Sequence, residues 1–105
     1  MIRIVFNGAD GRIDGFQVSG HGTADGNDFE GSIVCAAVSS AVYLTVNTLT
    51  EIIGAKVSVS DSGDEFKVAV LSEGSKSQSI LQGFHLHCTA LCEQYPKRIK
   101  IYWEV

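Results

Sequence analysis

Proline, cysteine and positive charge are all scarce in this chain, and each scarcity closes off a class of protein. One proline among 105 residues, with 11 glycines scattered among turns, leaves no linker or low-complexity composition to mark a boundary. The reading is a single domain over residues 1–105. Three cysteines, Cys35, Cys88 and Cys92, are an odd set that does not suit the disulfide framework of a small secreted protein. They fit thiols kept reduced in the cytosol. Eight Lys and Arg against 12 Asp and Glu give a formal charge of −4, which argues against a general nucleic-acid binder. Only a small basic cluster, Lys97, Arg98 and Lys100, could make a local contact of that kind.

Long hydrophobic runs are lacking too. The opening MIRIVFNGAD turns polar after six residues, too short for the apolar centre of a signal peptide. The longest apolar stretch, 33–53, is interrupted by Ser39, Ser40, Thr45, Asn47, Thr48, Thr50 and Glu51, a composition that does not suit a membrane span. The expected location is cytoplasmic, with no membrane partner and no direct nucleic-acid partner.

What is present is a hydrophobic content of 45%, enough for a modest core at this length. In IRIVF, Ile2, Ile4 and Phe6 alternate with Arg3 and Val5, and FQVS repeats the pattern with Phe16 and Val18. Between them NGADGR carries Asn-Gly and Asp-Gly, so the two strands form a hairpin. Val57 and Val59, then Phe66, Val68 and Val70, flank the turn DSGD as a second hairpin. Ile99, Ile101, Trp103 and Val105 share one face of a closing strand.

Two segments have helical spacing instead. Val38, Val42, Val46, Leu49 and Ile53 form one row, and Ala37, Ala41, Leu44 and Ile52 fill the next. So wide an apolar surface predicts burial on a second side, by a partner subunit. Gly54 suits the C-terminal cap. Leu81, Phe84, Cys88, Leu91 and Tyr95 mark the other helix, with Pro96 beyond its end. The order is ββαββαβ. It predicts an α+β two-layer sandwich, a largely antiparallel five-stranded sheet with two helices on one face.

Chemistry concentrates around SIVCAAVSS, residues 32–40. Ser32 suits an N-cap, which makes Ile33 the first helical residue and puts Cys35 in the first turn. Unpaired N–H groups and the helix dipole there favour a thiolate and could hold an oxyanion. A base is also needed. The segment Gly20–Gly31, with four glycines and three acids, reads as a loop that could return His21 to the helix start. On residues alone two readings stay open: Cys35 packs beside Ala36 and Ala37 as a small hydrophobe, or it is a nucleophile.

GHG at 20–22, IVCAAVSSAVYLTVNTL from Ile33, and EQYPKRIKI at 93–101 together resemble the ribosomal-processing cysteine proteases over nearly the whole chain. The resemblance implies cytosolic homodimers that meet through helical surfaces. It also implies removal of a short N-terminal extension from large-subunit ribosomal protein L-twenty-seven, with cleavage after an aromatic residue. On this likeness His21 and Cys35 correspond to the catalytic pair, and Gly20 and Ser39 to further motif positions. Where the family usually has Asp, this chain has Ser32, so an orienting carboxylate is absent or supplied by Asp28 or Glu30. The loop before the cysteine is also slightly longer than is usual in the family. Its residues Gly22, Asp25, Gly26, Asp28, Glu30 and Gly31 are expected to close over the peptide, the acids attracting its lysines.

The alternative is a ribosome-associated binding module of the same fold without catalysis. No cofactor is expected. His85, Cys88 and Cys92 stand at helical spacing suited to a metal, but Cys88 belongs to the apolar row and no fourth ligand is evident, so packing is the reading and no metal is expected. A redox switch would need a resolving cysteine near Cys35, and no Cys-x-x-Cys pair supplies one. Tyr43 and Asn47 continue the Ser39 face, either along a substrate groove or at a subunit contact. Tyr102, Trp103 and His87 are given no role.

Overall fold

In the computed structural model, which describes residues 1–20, 28–72 and 74–105, alternation produces strands wherever the sequence shows it. The elements are β1 (Ile2–Asn7), β2 (Gly15–Ser19), α1 (Phe29–Asn47), β3 (Val57–Asp61), β4 (Glu65–Val70), α2 (Ser75–Gln94) and β5 (Ile99–Glu104). The order is the expected ββαββαβ. One sheet runs β3-β4-β2-β1-β5. Three of its pairings are antiparallel and one, β1 with β5, is parallel.

Register explains the core. Ile4 is paired with Val18 and Phe6 with Phe16, Ile2 with Ile99, and Phe16 with Val68. All of these are buried, because period-two alternation puts every second residue on the helix-covered face. Phe84 of α2 comes down onto this layer, its ring centroid 4.5 Å from Phe16 and 5.7 Å from Phe6. Such ring pairs are worth about 0.5–1.5 kcal/mol beyond the area they bury.

Helix α1 buries Val34, Val38, Val42 and Thr45. It continues into a π-helical turn, Thr48–Ile53, which buries Leu49 and ends on Gly54 in the left-handed conformation. Gly54 is thus the C-terminal cap that the sequence suggested. The π turn was not foreseen. Beside it the Thr48 and Thr50 hydroxyls donate to the carbonyls of Leu44 and Val46, four residues back, a competition that loosens helical bonding. The run Phe29–Ile53 is long and apolar enough to cross a membrane by length and hydropathy, contrary to the composition-based expectation. Its buried row, Val34, Val38, Val42 and Leu49, belongs to the hydrophobic core.

The expected burial of α1 on a second side does not occur among the described residues. Ile33, Tyr43, Leu44 and Ile52 are exposed. Val105 also departs from the reading, since β5 ends at Glu104 and Val105 is exposed.

Candidate active site

Helix α1 begins earlier than Ser32. Its N-cap is Asp28, whose carboxylate accepts the N–H of Gly31 at 2.9 Å while the Asp28 carbonyl accepts that of Ser32. Ser32 is an exposed helical residue. Cys35 is therefore the seventh residue of α1, roughly 9 Å along the axis from the first at 1.5 Å per residue. The dipole's effect fades within the first turn. First-turn N–H groups, those of Phe29 to Ser32, are thus not the donors around the Cys35 thiol, and the expected stabilisation from that source is withdrawn. The sequence pattern hides this start, because Phe29-Glu30-Gly31 shows no apolar period and puts glycine inside a first turn. Glycine has a reason to stand there: a Cβ on Gly31 would lie 2.3 Å from the Asp28 carboxylate.

Arg98, in the turn before β5, reaches both acids at the start of this helix. Its guanidinium donates to the Asp28 carboxylate and, at 3.3 Å, to Glu30. The Gly31 N–H first, and then Arg98, hold the Asp28 carboxyl below its ordinary value. Both acids are thereby engaged by Arg98 within the chain. Arg98 also leaves the basic cluster, of which Lys97 and Lys100 remain exposed.

At the same end of the sheet stands Gly20, directly after β2, with φ +80°. A Cβ there would meet the Met1 carbonyl oxygen at 2.2 Å, so only glycine fits without displacing backbone. His21, Gly22, Asp25 and Gly26 lie outside the described residues. Of the two residues that flank that segment, Gly20 thus lies close against the Met1 backbone and Asp28 is held by Arg98.

Cys35 is half-buried and packs against the core. Ser39 follows one turn later on the same helical face, where Cβ atoms stand about 5–6 Å apart. From Ser39 onward the face opens on a cleft of about 40 Å³, which Val38, Val42 and Tyr43 line from α1. Val18, Phe66 and Asp61 line it from the sheet. Register puts these three together, for Val18 pairs with Phe66 and Phe66 with Asp61. They lie where β2 ends, hence at the Gly20 end. Among the described residues the Ser39 hydroxyl makes no hydrogen bond to its own helix, unlike that of Thr45, which donates to Ala41. Tyr43 lines this cleft and Asn47 does not. Asp61 and Phe66 carried no sequence signal, since they come from a hairpin read only as scaffold.

The remaining candidate cluster is packing. The His85 ring stands edge-on to Phe6 at 4.8 Å and beside Trp103 at 5.0 Å. Cys88 is fully buried, and burial pushes its thiol up to about 12. The Cys92 Sγ lies 3.3 Å from the Ile99 carbonyl oxygen. Among the described residues no three His, Cys, Asp or Glu side chains gather as a metal site.

A sandwich that sets a cysteine one turn from a cleft on the same helix face suits a thiol peptidase. The family model of cysteine protease Prp matches residues 1–100, and the chain belongs to that family. None of the curated proteins matches the sequence. Among solved structures, SMU.848 from Streptococcus mutans is 26% identical with a TM-score of 0.84, covering 98% of this chain and 93% of that one. The ribosomal processing protease Prp from S. aureus in complex with a substrate peptide is 21% identical with a TM-score of 0.86. The same protease with a covalently linked product peptide, also 21% identical, has a TM-score of 0.82. Each of these two covers 99% of this chain and 100% of the other. At that identity they show the shared fold.

Proposed function

We propose that this chain is a cytoplasmic endopeptidase that removes the N-terminal extension of large-subunit ribosomal protein L-twenty-seven, with Cys35 as nucleophile and His21 as base. The observation that carries the reading is the cleft that opens one turn beyond Cys35 on its own helix face, in a chain of a cysteine protease family. Cys35 Sγ attacks the scissile carbonyl carbon while His21 takes the thiol proton. Collapse of the tetrahedral intermediate breaks the C–N bond, and His21 returns that proton to the leaving amine. Water then hydrolyses the thioester and regenerates the thiol. The oxyanion donors of this scheme are not the first-turn N–H groups of α1. An extended peptide enters the cleft past Ser39 and Tyr43, and no cofactor takes part.

The working form is a homodimer. Between α1 and α2 runs an open groove of about 470 Å³, lined by Ala37, Ala41, Leu44, Ile80 and Leu91 among others. It lies along the apolar face of α1 that the chain leaves uncovered. The alternative, a binding module without catalysis, predicts that peptide binds and is released intact. Incubation with a peptide of the extension, followed by mass spectrometry, separates the two: the account expects two products from the wild type and none from Cys35→Ala.

A further inference from the structure

The cleft that opens one turn beyond Cys35 contains one ionisable carboxylate, that of Asp61, whose charge nothing in the described structure neutralises. Asp61 ends the edge strand β3, and one of its oxygens accepts the Gly63 N–H at 2.9 Å. Among the described residues no cation pairs with it, whereas Glu65 is matched by Lys67 at 3.1 Å. Residues 61–67, DSGDEFK, carry three acids and one base, so the hairpin tip beside the cleft is negative. The floor beneath is apolar: Val18 and Val42 are buried and Phe66 half-buried. A free volume of about 40 Å³ holds roughly three waters at 10–15 Å³ of such volume each, about the bulk of one aliphatic side chain.

From this juxtaposition, and resting on the peptidase reading of the cleft, we propose that Asp61 is a specificity determinant. The floor takes one apolar side chain of the peptide, and the Asp61 carboxylate pairs with a lysine or arginine next to it. Complementarity selects this occupant, because an acidic neighbour would face an unneutralised carboxylate and a second negative charge on the tip. Asp28 and Glu30 do not line this cleft, and Arg98 engages both.

The test uses dye-labelled peptides in which a single lysine, or glutamine as control, is walked past a fixed apolar residue. Dissociation constants are read by fluorescence anisotropy on Cys35→Ala protein, and kcat/KM on protein with the thiol intact. Asp61 is compared with Asp61→Asn, which keeps the bond to Gly63, and with Asp61→Lys. At one position the parent should favour lysine by roughly two- to five-fold, the range of an exposed ion pair. That preference should shrink at about 1 M salt, where the screening length is about 3 Å, vanish in Asp61→Asn and invert in Asp61→Lys. A lysine preference that survives Asp61→Asn, or none in the parent at any position, overturns the proposal. Asp61-dependent binding without cleavage would contradict the peptidase reading and leave the subsite standing, whereas cleavage indifferent to Asp61 would do the reverse.

Discussion

Arg98 holds the carboxylate of Asp28 from 70 residues further along the chain, joining the turn before β5 to the N-cap of the helix that carries Cys35. One contact thus ties the turn before β5 to the start of α1. The bond to Gly31 and the Arg98 contact lower the Asp28 pKa in the folded state, so its contribution is full above the ordinary carboxyl value of 3.8. It is lost as pH falls below that value through the folded pKa, because the unfolded chain then binds more protons. Asp28→Asn, which keeps a cap but no charge, should melt lower than the parent near neutral pH, and the gap should close on acidification. Thermal melts from about pH 7 to pH 3 check this; a gap that widened in acid would contradict it.

The three thiols should separate by reactivity. With Cys88 at about 12, its thiolate fraction at pH 8 is about 10⁻⁴. Iodoacetamide followed by peptide mapping should therefore label Cys35 ahead of Cys92 and leave Cys88 untouched until the protein unfolds. Rapid labelling of Cys88 in the native protein would contradict the packing described.

Core and cleft should respond differently to truncation. Phe84, 3% exposed and packed on Phe6 and Phe16, should cost about 3–5 kcal/mol when replaced by alanine. Tyr43, 64% exposed at the cleft, should cost under about 0.5 kcal/mol and yet raise KM several-fold. Denaturant titrations and initial rates on the two variants provide the comparison, and equal losses of stability would be the adverse result.

Leu44, exposed on α1 and lining the groove against α2, should be central to self-association. Leu44→Glu is expected to convert dimer to monomer in sedimentation with little change in monomer stability. A monomeric parent would contradict the dimer.

Much of this architecture is legible locally. Alternation in IRIVF, FQVS, KVSVS and EFKVAV fixes four strands, and the Val38–Val42 row and Gly54 mark α1 and its end. What pattern reading misses is set at a distance or by a single small residue. Gly31 hides the helix start that Asp28 caps, so Cys35 moves from the first turn to the second. The parallel pairing of β5 with β1 depends on closing most of the chain, and Asp61 and Phe66 reach the cleft only through sheet register. Arg98 reads as one of three surface cations until the fold brings it to Asp28 and Glu30.

The central claim is that Cys35 performs peptide cleavage, and the most direct measurement is turnover of a peptide spanning the ribosomal-protein extension and its junction. Wild-type protein should yield both fragments, and Cys35→Ala should yield neither while still binding the intact peptide. Undiminished cleavage by Cys35→Ala would contradict the account.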